Sequence, residues 1–292
     1  MPLFKAFTPA PSVGWYHVLG LQPHRHGRRR QGTRMIRIAF FDIDGTLVSF
    51  KTHAMSASTV RALDTMRRNG VRTVISTGRS LVEMPVELQK GFDAYITLNG
   101  QRCFCGSDVF RNVHLDPADV RVIVDQVEQG LYDVVVKLDR GDGYSYVNRR
   151  SPRVIENETA VNLVNPVDDI RLALGNPVYQ FCAYVDPEDE HILLDATENV
   201  VTTRWSPLFC DVVPAQGGKD LGVAATLEHF GFTADEAIAF GDGENDLPML
   251  SAVGTGVAMG NAWDIVKERA DYVTDDVDSD GIWNACRHFG LV

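Results

Sequence analysis

The chain has 292 residues, 45% hydrophobic and 23% charged, a composition that excludes a disordered or fibrous protein and allows a sizeable core. Its formal net charge of −11 is unevenly spread, because residues 1–34 hold six Lys or Arg and no acid. An acidic body argues against nucleic acid as a partner, and no apolar run approaches the roughly 18 residues that a membrane helix needs.

Up to about Arg34 the chain mixes Pro, Gly, His and the run Arg28-Arg29-Arg30 with little periodicity. It reads as a disordered N-terminal extension, with Met35 beginning the folded protein. Residues 38–41 (Ile-Ala-Phe-Phe) then read as a strand buried on both faces. The strand stops at Asp42-Ile43-Asp44-Gly45-Thr46. In a strand i and i+2 point the same way, so Asp42 and Asp44 would face one crevice at its carboxyl end, where open α/β sheets place ligands. Two like charges side by side call for a divalent cation or a shared proton, and Gly45 lets the chain turn so that N–H groups approach an anion. Ser56 is placed to N-cap a helix carrying Val60, Leu63 and Met66, with Gly70 just past its end. A second strand over 71–75 ends in Ser76-Thr77-Gly78-Arg79, a helix is expected over 80–89, and a third strand over 94–98 ends in Asn99-Gly100. Cys103 and Cys105 are spaced as same-face neighbours on a strand. With Cys182, Cys210 and Cys286 they contain no CxxC pair, which fits a reduced, cytoplasmic setting.

From about Val113 the texture changes. Asp116-Pro117 caps a helix with Val120, Ile123, Val124 and Val127 on one face. Residues 134–138 and 144–148 read as an antiparallel hairpin around Gly141-Asp142-Gly143. A helix opening at Ser151-Pro152, a strand over 178–185, a helix over 188–196 and strands over 200–205 and 208–213 complete an α+β pattern. The parallel pattern then resumes: Gly217-Gly218-Lys219 leads into a helix with Leu221, Ala224, Leu227 and Phe230 as its apolar positions. A strand over 237–240 follows, ending in Gly241-Asp242-Gly243-Glu244-Asn245-Asp246, and short strands lie over 256–259 and 272–274. The expected fold is α/β: a doubly wound, Rossmann-like parallel sheet core (35–112 and 213–292) with an inserted α+β cap domain (113–212).

Parallel strands of such a sheet end at one edge, so that edge would collect Asp42, Asp44, Thr77, Arg79, Asn99, Lys219, Asp242, Asn245 and Asp246. Clustered carboxylates suit a hard cation such as Mg²⁺, and cations beside Thr and Asn donors suit a phosphate. Together they describe phosphoryl transfer. No Ser or Cys stands in a nucleophile motif, which leaves the aspartate at the end of the central strand to attack. Asp42 needs no base to activate it, and Asp44 would protonate the leaving alkoxide and later activate water. Each motif alone has a plainer explanation: a solvated acidic turn, a surface arginine, an Asn-Gly turn, a lysine at a helix start. Their order on successive strand ends outweighs these. His53, His114, His191 and His229 show no ligand spacing, and Trp205 and Trp283 read as core.

In order and spacing these motifs resemble the haloacid dehalogenase superfamily, in particular its Cof-type branch of Mg²⁺-dependent phosphatases with a large α/β cap (class IIB). The resemblance runs from Met35 to the C-terminus, and residues 42–50 and 204–213 are similar to hexose-phosphate phosphatases of that branch. It implies Asp42 as nucleophile and Asp44 as acid/base. Mg²⁺ would sit on Asp42, the backbone carbonyl of Asp44 and Asp242, supported by Asp246 and Asn245. Thr77, Gly78, Arg79, Asn99 and Lys219 would meet the phosphoryl group of a small-molecule phosphate monoester. Two departures are slight: Gly218 precedes Lys219 where Ser or Thr is more usual, and Glu244 is an extra acid. A phosphatase of a phosphorylated vitamin or flavin precursor, a phosphomutase or phosphotransferase, and a non-catalytic phosphometabolite sensor stay open as alternatives.

Overall fold

The computed structural model describes residues 35–292 except Gly141 and Asp142; the expected extension over 1–34 and part of the hairpin turn lie outside the described residues. The first strands are β1 (Ile38–Phe41), β2 (Arg72–Ser76), β3 (Ala94–Thr97), β4 (Arg102–Cys105) and β5 (Asp108–Asn112). They are followed by β6 (Val134–Leu138), β7 (Tyr144–Val147), β8 (Val178–Ala183), β9 (Val200–Ser206) and β10 (Phe209–Pro214). The last three are β11 (Ala237–Gly241), β12 (Thr255–Ala258) and β13 (Tyr272–Val273). The helices are α1 (Ala57–Arg68), α2 (Pro117–Glu128), α3 (Pro152–Ala160), α4 (His191–Leu194), α5 (Lys219–Phe230), α6 (Leu247–Ala252), α7 (Asp264–Arg269) and α8 (Gly281–His288).

One sheet runs β13-β12-β11-β1-β2-β3-β4-β5, parallel from β13 to β3, with β4 and β5 added antiparallel at the edge. Alternate residues of its strands feed two separate cores, as a sheet wound on both faces requires. Ala39, Phe41, Ile75 and Phe240 pack with Leu63 and Met66 of α1 and Ile282 and Ala285 of α8. Ile38, Phe40, Val74 and Ile96 pack with Val223 of α5, Met249 of α6 and Val266 of α7. Phe41 and Phe240 lie in register on neighbouring strands and stack at 4.9 Å. β1 is therefore central and buried along its whole length, which holds the residue after it in a defined place.

The second sheet is antiparallel, in the order β7-β6-β8-β10-β9. Val134, Val136, Phe181 and Val212 on one face pack with Ile123, Val124 and Val127 of α2. On the other face Val135, Cys182, Tyr184 and Phe209 pack with Val154 of α3. The doubly wound core with an added α+β layer is thus the architecture found. Among the described residues no helix is long and apolar enough to cross a membrane.

Several elements depart from expectation. The helix expected over 80–89 is two single 3₁₀ turns, Leu81–Glu83 and Val86–Leu88. Pro85 pushes Met84 to ψ 148°, which ends any helix there. The helix expected over 188–196 shrinks to a 3₁₀ turn, Pro187–Asp189, and the four-residue α4. The buried face of α5 is Lys219, Gly222, Val223, Thr226 and Leu227, while Leu221 and Ala224 face out. Polar Thr226 is tolerated inside because its hydroxyl donates to Gly222 O at 2.8 Å. Val60 of α1 is likewise exposed. Cys103 is buried and Cys105 half-buried, and all five cysteines are free thiols.

Polar contacts across the seam connect the two sheets. Lys137 of β6 donates to Gly78 O at 3.0 Å and to Glu83 Oε2 at 2.9 Å; Glu83 also accepts the Ser80 N–H at 2.7 Å. Burial opposes ionisation of Glu83, yet the Lys137 charge and these hydrogen bonds together hold it below its ordinary 4.5. A group depressed in the folded state stabilises above its unfolded value, and that stabilisation fades as pH falls through the folded one. Glu83→Gln should cost about 3 kcal/mol at pH 7 by leaving Lys137 unpaired, and its gap to wild type in urea unfolding should close below pH 4.5; a gap constant down to acid pH would contradict the pairing. In α5, a Cβ on Gly222 would lie 2.5 Å from Ile96 Cγ2. Gly222→Val should therefore lower the unfolding free energy by about 2 kcal/mol through overpacking, read in the same denaturation experiment.

Candidate active site

The carboxyl edge of the parallel sheet gathers the expected residues because β1, β2, β3 and β11 all stop there. Asp42 follows β1, and its N–H donates to Phe240 O at 3.0 Å. The chain then folds tightly at Gly45 (φ 81°), where a Cβ would lie 2.2 Å from Asp242 Oδ2. Only glycine combines that positive φ with so close an approach. Thr46 uses the same loop to donate to Asp242 Oδ1 at 2.9 Å. After β11, Asp246 folds back so that its Oδ2 accepts the N–H groups of Asp242 and Gly243, at 2.9 and 3.0 Å. Lys219, the first residue of α5, sends Nζ to Asp42 Oδ1 and Asp246 Oδ1, both at 2.6 Å.

Asp42, Asp242 and Asp246 each offer an oxygen within 4.8 Å of the others, and all three are buried. Against these three carboxylates stands one ammonium, Lys219, itself 1% exposed. With all three ionised the site is short of two positive charges, which matches one divalent cation, and the all-oxygen donor set suits a hard one. The electrostatics carry the same imprint. Burial lifts Asp42 to about 7, opposed by Lys219 and assisted by Asp246 and Asp44. Burial and then the charges of Asp42 and Asp246 push Asp242 well above the carboxylate range. The same carboxylates raise Lys219 against its own burial, so it stays charged.

A second group lies beside the first. Arg79 grips Asp44 with two parallel bonds of 2.7 Å and also donates to Glu83 O at 2.8 Å and Val161 O at 3.5 Å. The Asp44 carboxylate is thus tied to Arg79 and is not one of the three clustered acids. Thr77 Oγ1 accepts the Arg79 N–H at 3.2 Å. Leu98 and Asn99 both take positive φ, 56° and 52°, an unusual pair that turns the Asn99 amide towards Gly78. Asn245 donates to Asn99 Oδ1 at 3.4 Å. Gly100 has to be glycine: at φ 92° a Cβ would fall 2.0 Å from Gly218 O, the residue that sets Lys219 at the start of α5.

Sequence reasoning passed over several contributors. Thr46 sits inside the quoted motif but had no role assigned. Asn261 donates to Gly45 O at 2.8 Å and to Asp242 Oδ2 at 3.4 Å, with no motif to announce it. Lys137, Gln180 and Asp211 are single polar residues within otherwise apolar strand stretches of β6, β8 and β10, a signal that could have been read. Trp205 is half-buried and sits beside the site turn, 3.2 Å from where a Gly243 Cβ would be.

Comparison with known proteins bears on the family and the fold. A profile described as haloacid dehalogenase-like hydrolase matches residues 39–286. YkrA of Bacillus subtilis (strain 168), named provisionally as a phosphatase, is 32% identical over 257 residues, 88% of this chain and 98% of its own. The 5-amino-6-(5-phospho-D-ribitylamino)uracil phosphatase YcsE of the same organism is 30% identical over 264 residues, 88% of this chain and 96% of its own. Among solved structures, the subclass IIB sugar phosphatase BT4131 aligns with a TM-score of 0.82 at 34% identity, over 88% of this chain and 100% of its own. BT1666 of Bacteroides thetaiotaomicron, described among phosphatases of the superfamily, aligns with a TM-score of 0.80 at 36% identity, over 94% of this chain and 100% of its own. Sequence and fold agree over nearly the whole described chain, and the chain belongs to the haloacid dehalogenase-like hydrolases.

Proposed function

We propose that this chain is a Mg²⁺-dependent phosphatase of small phosphorylated metabolites, sugar phosphates foremost, working through an aspartyl phosphate on Asp42. The observation that carries the reading is the buried meeting of three carboxylates with one lysine at the strand ends, short of two positive charges. Asp42, the backbone carbonyl of Asp44 and Asp242 would hold the cation, with Asp246 and Asn245 behind them. Bound there, Mg²⁺ would neutralise phosphoryl oxygens and restore the missing charge beside Asp42.

The protein's own groups then divide the work. Asp42 supplies the attacking oxygen: its bond to phosphorus forms as the bond to the leaving alkoxide breaks. Lys219 fixes the rotamer of that carboxylate and offers charge to the transferring group. Arg79, with Thr77, Gly78 and Asn99, binds the phosphoryl oxygens, and in doing so releases Asp44. Once free of Arg79, Asp44 takes up a proton from solvent, gives it to the alkoxide, and afterwards takes one from the water that attacks phosphorus and frees Asp42. The cap, placed by sequence over residues 113–212, would open to admit substrate and close to exclude bulk water. The five free thiols support a reducing, cytoplasmic setting.

The likeness to a phosphoribityl-uracil phosphatase favours one second reading, a vitamin or flavin precursor as substrate through the same mechanism. A panel of sugar, nucleotide and vitamin phosphates assayed with Mg²⁺ distinguishes the two. Asp42→Asn should lower phosphate release at least ~10⁴-fold, as loss of a covalent nucleophile does, with the thermal midpoint of unfolding not lowered. Chelation should abolish turnover and added Mg²⁺ restore it. Turnover by Asp42→Asn at the wild-type rate would refute the aspartyl-phosphate route.

A further inference from the structure

The loop between β12 and α7 carries none of the strand-end motifs, yet it holds Asp242 twice. The Trp263 N–H donates to the Asp242 backbone carbonyl at 3.0 Å. Asn261 Nδ2 donates to Asp242 Oδ2 at 3.4 Å and to Gly45 O at 2.8 Å. One planar amide with two N–H groups therefore ties the turn after β1 to the turn after β11. Its oxygen is engaged as well, since Asn261 Oδ1 accepts the Val277 N–H at 2.9 Å. The loop is itself braced: the Met259 N–H donates to Gly241 O and the Gly260 N–H to Asp275 O, both at 3.0 Å. The half-buried Asn261 side chain thus starts from a fixed backbone.

The kind of donor matters. Asp42 and Asp246 share the Lys219 ammonium, and Asp44 is paired with Arg79. Among the described residues Asp242 has no cation paired with it. Its side-chain donors are neutral, Thr46 Oγ1 on Oδ1 at 2.9 Å and Asn261 Nδ2 on Oδ2. Neutral donors orient a carboxylate without cancelling its charge, whereas a Lys or Arg in the place of Asn261 would supply the charge that a metal ion brings.

We propose that Asn261 is a positioning residue for the cation: by holding the Asp242 carboxylate against the Gly45 carbonyl it sets the spacing between Asp242 and the neighbouring Asp44 carbonyl, and so tightens Mg²⁺ binding. The proposal rests on the Mg²⁺-dependent phosphatase reading and adds a residue to its metal site. Asn261 acts through Asp242 and is not itself a ligand. Without the amide, Thr46 would be left to orient Asp242, and the link from the 260–263 loop to the 42–46 turn would be lost. Ligands held at a fixed spacing are what separate a tight metal site from a loose one. The bonds of the Asn261 side chain reach none of Asp42, Arg79 and Lys219, so its removal should act on metal affinity before it acts on the chemistry.

The test uses the full-length enzyme, stripped of metal by chelation, and Mg²⁺ alone as the probe. Titration calorimetry and the rise of the thermal midpoint with added Mg²⁺ both report affinity without turnover. Asn261→Ala should weaken Mg²⁺ binding by about 10- to 100-fold, the loss that follows removal of a hydrogen-bond partner of a metal ligand. In phosphate release from p-nitrophenyl phosphate the same variant should need correspondingly more Mg²⁺, with kcat returning to within about 3-fold of wild type once the ion is saturating. Asn261→Ser, which removes less volume from the loop, carries the same expectation if the alanine variant does not fold. An unchanged Mg²⁺ affinity would overturn the proposal, as would a kcat that stays low at saturating Mg²⁺, since either means that Asn261 serves the fold and not the ion. Both results leave the phosphatase reading standing, whereas a wild-type enzyme that binds no Mg²⁺ and turns over without it defeats the metal-dependent reading as well.

Discussion

The bridge from Lys219 to Asp42 and Asp246 is the contact on which the site depends. Three acids buried within reach of each other would drive one another towards the neutral form or force the turns apart. One ammonium at 2.6 Å from two of them holds the arrangement together and leaves it two charges short. That shortage is what makes the site useful. On the proposed reading a hard cation would meet it. The surrounding glycines belong to the same constraint: Gly45 and Gly241 let Asp242 and Asp246 lie against the backbone at distances that a Cβ would forbid.

Around this centre the structure holds a second layer of polar pairs. The Arg79–Asp44 pair, the Asn99–Asp211 bond and the Lys137–Glu83 pair all lie at or across the seam between the two sheets. Each joins side chains from segments far apart in the chain. Such polar contacts are strengthened by the low dielectric around them and fix how the two sheets meet. Lys137, Gln180 and Asp211 are confined to one face of the second sheet, while its other face packs with α2 as an ordinary hydrophobic core. The sheet thus packs an apolar core on one side and carries buried polar residues towards the strand ends of the first sheet on the other.

Where sequence reasoning failed, the failures share a cause. In α5 the apolar residues Leu221 and Ala224 face out and Lys219, Gly222 and Thr226 face in, because the helix lies close against β3 and the turn after it. Close approach selects small residues and overrides hydrophobic periodicity. The missing helix over 80–89 gave way to Pro85 and to Glu83, whose side chain caps Ser80 N–H and pairs with Lys137. A partner from a distant strand thus replaced local helical hydrogen bonding.

Local chemistry written along the chain determined the parallel core, the strand ends and the acids and lysine of the site. A buried strand must be apolar, a tight turn at its end must contain glycine, and a metal site must be acidic, so each leaves its mark within a few residues. Tertiary structure alone decided that Asp44 is tied to Arg79, that Asn261 supports Gly45 and Asp242, and that Asp211 faces Asn99 across a seam 112 positions apart in the chain. These are pairings between distant segments, fixed by how strand ends of one sheet converge and, for Asp211, by how the second sheet packs on the first. No spacing rule along one strand can encode them.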